Sequence, residues 1–170
     1  KQFSGVVQGR KTVSAGRQKP ARLADRIPFR AGAAVERMAQ TCPDLPSLTA
    51  HFQARHGLRV RRLPADVMGG ALRRHDLHRK EILLSDVLDA SAQAFQLALQ
   101  WAHLELRQEI TDAAAGARFD TESGRKLARR SLANYAAAAW MMPYTAFAKA
   151  VVARKYDVEA LARQFGVSFE

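Results

Sequence analysis

The stretch of residues 89–114 constrains the fold most, because it is rich in apolar side chains and contains neither proline nor glycine. Its apolar residues recur at intervals of three and four, which is the spacing of one face of an α-helix. We therefore predict a single long helix here, capped by Asp89 or Ser91. The central segment, FQLALQWAHLEL, carries an ionisable ring at His103. The predicted buried face consists of Phe95, Leu99, Ala102, His103, Leu106 and Ile110.

More helices are predicted after this segment. Thr121 or Ser123 caps the next one, which ends at Pro143 because proline cannot continue it. Another covers residues 144–155, and VEALARQFGVSFE begins a last one, with a turn at Gly166. The buried side of the helix before Pro143 is predicted to contain Leu127, Leu132, Tyr135, Ala139 and Met142.

The region before residue 89 predicts a short helix and three strands. Ser47 is suited to cap the helix, and Gly57 ends it. LRVRRL, residues 58–63, alternates apolar and basic residues, which is the period of a strand with one buried face. Residues 70–73 and 81–85 form a predicted hairpin. Its polar turn brings together Arg73, Arg74, His75, His78, Arg79 and Lys80. Helices and strands together indicate an α+β fold.

The length and composition exclude several protein classes. The chain has 170 residues, enough for one sizeable core. No apolar run reaches the ~18 residues that a membrane-spanning helix needs. Cys42 is the sole cysteine, which excludes an internal disulfide and a cysteine-only zinc site. We interpret the protein as cytoplasmic, without a membrane partner.

Basic charge is concentrated near the N-terminus. Of the net charge of +11, residues 1–30 carry +7, from eight basic residues against Asp25, which leaves +4 for the rest. We predict a basic, poorly ordered segment over residues 1–34 and a folded domain over residues 35–170. A nucleic-acid-binding arm is the open alternative for the basic segment. Because the sequence stops in GVSFE, just after a turn into a new helix, we expect truncation at the C-terminus.

The motifs of common enzyme classes are absent from the sequence. It has no glycine-rich phosphate loop, no G-x-S-x-G nucleophile elbow and no identifiable base beside Cys42. His75 and His78 lie three residues apart on a turn, which is a weak metal pattern. ALARQFGVS is compatible with a packed helical hairpin or with a helix-turn-helix.

His103 lies in a segment that resembles a known family. FQLALQWAHLEL, followed about thirty residues later by ANYAAAAWMMPYTAF, resembles the paired motifs of the ImmA/IrrE-type zinc metallopeptidase domain. Those motifs are F-x-x-A-H-E-x-x-H and E-x-x-A-N-x-F-A-A-x-x-L-M-P. DVEALARQFGVS resembles the segment that follows, so the similarity covers about residues 45–170. The positions that fit are Phe95, Ala98, His103, Ala133, Asn134, Ala136, Ala137, Met142 and Pro143.

The sequence departs from this family at the zinc ligands. The family's first histidine falls on Leu99, its catalytic glutamate on Gln100 and its glutamate ligand on Arg130. His103 remains, and one ligand cannot hold zinc. The resemblance therefore implies a protein that is not an enzyme, with no catalytic residue, bound metal or cofactor. We interpret His103 as a remnant of a metal site.

Within this superfamily the chain looks most like the short-chain fatty-acyl-CoA-responsive transcription regulators. The segments that carry this resemblance are DVMGGALRRHDLHRKEILLSDVL, AFQLALQWAHLE, LANYAAAAWMMPY and KYDVEALARQFGVSFE. It implies a zincin-like α+β fold and an acyl-CoA sensor, with DNA bound by an XRE-type helix-turn-helix domain outside this fragment. The resemblance is compatible with a homodimer. We hypothesise that the vacated metal cleft admits the acyl group. Candidate lining residues are Gln100, Trp101, His103, Asn134 and Tyr135, and candidate phosphate contacts are Arg73, Arg74, Arg79 and Lys80.

Two alternatives from other functional classes stay open. One is an active ImmA/IrrE-type zinc metallopeptidase that uses ligands other than the aligned positions. The other is a nucleic-acid-binding module that acts through residues 1–30 and 154–170, whose binding would weaken steeply with salt.

Overall fold

The computed structural model describes residues 29–115 and 121–168, which form helices packed around a small sheet. This confirms the predicted α+β class. None of the helices in these two ranges has the length and apolar character needed to cross a lipid bilayer. The helices are α1 (Phe29–Thr41), α2 (Leu45–His51), α3 (Ala65–Met68), α4 (Ala90–Glu105), α5 (Arg107–Ala115), α6 (Glu122–Met141), α7 (Tyr144–Ala153) and α8 (Val158–Phe165). The strands are β1 (Arg59–Leu63), β2 (Arg73–Asp76) and β3 (Glu81–Ser85).

The sheet has the order β1-β3-β2, with β1 parallel and β2 antiparallel to the central strand β3. All five residues of β3 are buried, as expected for a strand covered on both faces. Glu81 is among them, and its charge is balanced by Arg59 and Arg61 on β1, at nitrogen-to-oxygen distances of 3.2 and 3.4 Å. Partners of this kind offset the free-energy cost of burying a carboxylate.

The predicted hairpin is present, but the prediction for its first strand was wrong. That strand is Arg73–Asp76 rather than residues 70–73. The Asp76 carboxylate accepts hydrogen bonds from the amides of His78 and Arg79, at 3.0 and 2.9 Å, and so closes a tight turn. This turn chemistry is typical of aspartate and sets the register, which pairs Arg73 with Leu84.

The predicted helix over residues 89–114 is two helices, so the prediction of a single one was wrong. Of the two predicted caps, Asp89 and Ser91, the structure selects Asp89, whose carboxylate accepts a hydrogen bond from the Ala92 amide at 2.7 Å. The break falls at Leu106, whose backbone leaves the helical region at φ −105° and ψ 16°. The Leu106 side chain is buried in the core. After the break, α5 packs against α6, and local sequence signals do not reveal this arrangement.

The centre of the core lies where α4 packs against α6. Ala98, Ala102, Ala133 and Ala137 are fully buried there, and such small side chains allow two helix backbones to approach closely. The predicted buried side of α6 was partly wrong, because Leu127 and Tyr135 are exposed. The buried side of α6 consists of Ala128, Leu132, Ala133, Ala136, Ala137 and Trp140.

Of the N-terminal helices, α1 packs against α6 and α2 packs against α4. The helix predicted to start at Ser47 begins earlier, because Asp44 is its cap and Ser47 completes a capping box three residues later. Gly57 ends this helical region as predicted, in a left-handed conformation. The Trp140 indole donates a hydrogen bond to the Cys42 carbonyl at 2.9 Å, which ties α6 to the α1–α2 connection. The predicted segment 1–34 lies mostly outside the described residues, although residues 29–34 are the start of α1.

Candidate ligand-binding cleft

A cleft of about 1460 Å³ lies between α4, α5, α6 and β2. We call it the basic cleft, because it combines several cations with an apolar wall. Its described lining residues are Arg73, His75, Phe95, Gln96, Leu99, Gln100, His103, Leu104, Arg107, Ile110, Thr111, Lys126, Arg129, Arg130, Asn134, Tyr135 and Ala138.

Strand β2 supplies two of these side chains, because alternate residues of a strand point to the same face. Arg73 and His75 face α4, and the Arg73 guanidinium donates to the Gln96 carbonyl at 2.7 Å. The Gln100 amide donates to His75 Nδ1 at 3.2 Å. His75 Nε2 is buried and has no hydrogen-bond partner among the described residues. A buried polar atom of this kind is suited to a ligand that completes its hydrogen bonding.

The environment of the cleft favours anions. Desolvation lowers the pKa of Arg73 to about 10, which still leaves it charged at neutral pH. The predicted burial of His103 in the core was wrong, because its side chain is exposed to the cleft. Partial burial, and then the positive charge of Arg73, lower the pKa of His103 below its usual value. The neutral imidazole is therefore the dominant form at neutral pH.

The other cations of the cleft come from α5 and α6. They are Arg107, Lys126, Arg129 and Arg130, and no Asp or Glu lines the described part of the cleft. Arg129 forms an ion pair with Glu122 at 2.9 Å. Arg107, Lys126 and Arg130 form no ion pair with any described residue. Their charge is therefore available to an anionic ligand.

The cleft also has an apolar part, which we call its apolar wall. It consists of Phe95, Leu99, Leu104, Ile110 and Ala138, from α4, α5 and α6. Apolar surface beside convergent polar groups is the usual composition of a small-molecule site. The cleft is therefore suited to a ligand with an apolar part and a multiply charged anionic part.

The positions aligned with the family's zinc site lie together in this cleft. Leu99, Gln100, His103 and Arg130 all line it, although Arg130 belongs to a different helix from the other three. These residues do not fit zinc. Leu99 has no donor atom, Gln100 already donates its amide to His75, and Arg130 adds a positive charge. The cleft therefore occupies the place of the metal site without its ligand set.

The structure brings together five of the nine predicted site residues. Gln100, His103, Asn134, Tyr135 and Arg73 line the basic cleft. The other four do not line it. Trp101 is 2% exposed and packs in the core, Arg74 donates to the Met68 carbonyl, and Arg79 and Lys80 are exposed on the hairpin turn.

Three cations of the cleft were missed by the sequence reasoning. Lys126 and Arg129 recur at an interval of three on α6, and this spacing could have indicated a basic helix face. Arg107 carries no such signal, because its position depends on the break at Leu106. Arg130 was identified only as the replacement of a zinc ligand.

The chain is similar to known proteins. Residues 53–170 match the profile of the IrrE N-terminal-like domain, Peptidase_M78. The HTH-type transcriptional regulator RamB of Mycobacterium tuberculosis is 33% identical over 123 residues, which is 72% of this chain and 26% of the relative. A Propionyl-CoA carboxylase regulator of Cereibacter sphaeroides is 40% identical over 81 residues, which is 48% of this chain and 18% of the relative.

A solved structure has the same fold. A Mycobacterium tuberculosis transcriptional regulator superposes with a TM-score of 0.76 at 28% identity, and the match covers 86% of this chain and 48% of that one. The chain thus spans about a quarter or less of the curated relatives and about half of the solved chain. The match to the domain profile, over most of the chain, shows that it belongs to the family of IrrE N-terminal-like domains.

Proposed function

We propose that this domain senses a short-chain acyl-CoA within a bacterial transcription regulator, and that it is not an enzyme. DNA binding would be carried out by a helix-turn-helix domain elsewhere in the regulator. Relatives named as transcriptional regulators support the regulatory role, and the name of the Cereibacter sphaeroides relative supports the ligand class.

The observation that carries this proposal is the composition of the basic cleft. Five cationic side chains and an apolar wall line it, without an acidic residue among the described ones. Acyl-CoA is complementary to this lining, because it combines multiply charged phosphates with a thioester-linked apolar group. Its size also fits, because acyl-CoA is larger than a drug-sized ligand. The cleft volume of about 1460 Å³ likewise exceeds the ~300–1,000 Å³ of a typical drug-sized pocket.

The two parts of the ligand are assigned to different walls. The acyl group would lie against Phe95, Leu99 and Leu104, where apolar burial is favourable. The phosphates would lie near Arg129 and Arg130, because one guanidinium group can donate two parallel hydrogen bonds to phosphate oxygens.

Ligand binding would be coupled to the rest of the regulator through the helices. The cleft is shared by α4, α5 and α6, so a bound ligand would contact all three. A ligand shifts a conformational equilibrium only by its difference in affinity for the two states. Because the helix breaks at Leu106, we propose that the two conformational states differ in the angle between α4 and α5.

The test is calorimetric titration of the 170-residue chain with propionyl-CoA, acetyl-CoA and free coenzyme A. We expect saturable binding that Arg129→Ala and Arg130→Ala each weaken by about tenfold or more, since a charged hydrogen bond contributes about 1.5–3 kcal/mol. Leu99→Asp should abolish discrimination between propionyl-CoA and coenzyme A.

Arg79→Ala is the matched control, because Arg79 is an exposed arginine outside the cleft. The cleft assignment predicts unchanged affinity for this variant, whereas phosphate binding by the hairpin turn predicts a loss. Wild-type protein that binds no acyl-CoA would overturn the proposed function. Peptidase activity that depends on metal would favour the enzyme alternative.

A further inference from the structure

A second cluster of polar side chains lies outside the basic cleft. It consists of His51 at the end of α2, His56 at the end of the following helical turn, and Glu105 at the end of α4. The Nε2 atoms of His51 and His56 lie 2.6 and 2.8 Å from the same atom, Oε1 of Glu105. All three side chains are about one-fifth to one-quarter exposed, so they are reachable from solvent but partly desolvated.

The backbone between the two histidines has an uncommon conformation that aligns them. Residues Phe52–His56 form a π-helical turn, and the Gly57 amide that closes it reaches back to the carbonyls of Gln53 and Phe52. In a regular α-helix, residues five apart point about 140° away from each other, because each residue turns the helix by about 100°. The wider π turn brings His51 and His56 to the same side. Such turns are rare and occur frequently at functional sites.

The charge of the cluster suits a cation. Burial raises the pKa of Glu105, but hydrogen bonds from His51 and His56 outweigh this effect and leave its pKa below the usual value. The carboxylate therefore stays ionised. Each neutral imidazole can present the lone pair of Nε2 when its proton is on Nδ1.

Two neighbours bear on the binding of a cation. The buried Trp101 indole N–H lies close enough to Glu105 to favour its ionised form, yet makes no well-formed hydrogen bond. Arg55 lies 3.8 Å from the same carboxylate and opposes a cation, but its side chain is two-thirds exposed and free to turn into solvent.

We propose that His51, His56 and Glu105 form a binding site for a divalent cation of the zinc class. The three ligand atoms lie within 4.8 Å of one another, and two imidazoles with one carboxylate are a ligand set that zinc accepts, with a fourth position left for water. The site is separate from the vacated position in the basic cleft, and it departs from the sequence-based expectation that the domain binds no metal.

The test uses chain purified without a polyhistidine tag and stripped with a chelator. Calorimetric titration with Zn²⁺ should give one equivalent bound, and Co²⁺ should give the visible absorption bands of a low-coordinate site. Zn²⁺ should also raise the melting temperature, because a ligand specific for the native state stabilises it. His51→Ala and His56→Gln should each lose Zn²⁺ binding, whereas His78→Ala and His103→Ala should keep it.

His56→Gln guards against a simple folding defect, because glutamine can still donate a hydrogen bond to Glu105. If the cluster is only a hydrogen-bonded clamp, Zn²⁺ will fail to stabilise the wild type, and the proposal falls. Zn²⁺ binding that His103→Ala abolishes would also overturn it, since the ion would then lie in the basic cleft. Propionyl-CoA titrated into His56→Gln keeps the two proposals apart, because its binding should match the wild type.

Discussion

His103 lies in an environment that its sequence pattern does not predict. Apolar neighbours at helical spacing predict a buried ring, but the side chain faces the basic cleft. The core side of α4 is instead formed by Leu97, Ala98 and Trp101. A difference of one position in the helix turns a side chain by about 100°, which is enough to move it from the core to a cleft.

The lowered pKa of His103 leads to a prediction about pH. Because Arg73 and partial burial disfavour the imidazolium in the free protein, protonation should occur below the usual value of 6.5. An anionic ligand favours the protonated ring, so propionyl-CoA affinity should increase as the pH falls from about 8 to about 5.5. In His103→Gln, we expect the increase in propionyl-CoA affinity over this pH range to be smaller than in the wild type by a factor of about three to ten. A factor of ten corresponds to a shift of one unit in the pKa of His103 on ligand binding.

Calorimetry across this pH range checks the prediction. Protonation of the ligand is the same for wild type and variant, so the difference between them isolates His103. His78→Gln, on the exposed hairpin turn, should keep the full gain. Identical pH profiles for wild type and His103→Gln would place His103 away from the bound anion.

At the scale of elements, the packing of α4 on α6 determines the shape of the cleft. Buried alanines let the two helices approach each other, and other residues of both helices line the basic cleft. Residues 136–139 of α6 are four successive alanines, whose small side chains suit such close packing. Which face of α6 is buried was only partly predicted, because Leu127 and Tyr135 also fit an apolar stripe.

Overpacking this contact should destabilise the domain. Ala137 is fully buried, so Ala137→Leu introduces three carbon atoms where no space exists. We expect a loss of about 1–3 kcal/mol in the free energy of unfolding. Ala146→Leu on the exposed side of α7 is the control and should change little. Urea unfolding measures the free energy of unfolding of both variants. If Ala137→Leu is as stable as Ala146→Leu, α4 and α6 are not close-packed.

At the scale of the whole molecule, the positive charge has two locations. The sequence shows a concentration in residues 1–30, and the structure adds a second in the basic cleft. The second was hidden in the sequence, because its cations come from β2, α5 and α6 and are separated by tens of residues. Their convergence focuses the electrostatic potential on one surface.

This convergence predicts a salt-dependent affinity. Raising the salt concentration from about 0.05 to 0.5 M should weaken propionyl-CoA binding, because the Debye length shortens from over 10 Å to a few ångströms. Propionyl-pantetheine is the matched ligand, since it keeps the thioester and acyl group but lacks the phosphates. Its weaker binding should be nearly independent of salt. Equal salt dependence for both ligands would contradict phosphate recognition by the cleft.

The sequence by itself determined the features that depend on a few adjacent residues. It limited the caps of two helices to Asp89 or Ser91 and to Thr121 or Ser123, because a side-chain oxygen at these positions can accept a hydrogen bond from a nearby amide, and the structure selects Asp89 and Thr121. It also ended α6 before Pro143, because proline has no amide hydrogen to donate. The paired motifs likewise indicated the family, since their spacing is a property of the chain. Only the tertiary structure decided the break at Leu106 and the exposure of His103. It also decided the meeting of His51 and His56 with Glu105, which is 49 residues from His56 along the chain. Such features depend on the packing of segments that are distant along the chain. Local sequence patterns carry no information about the free energy of that packing.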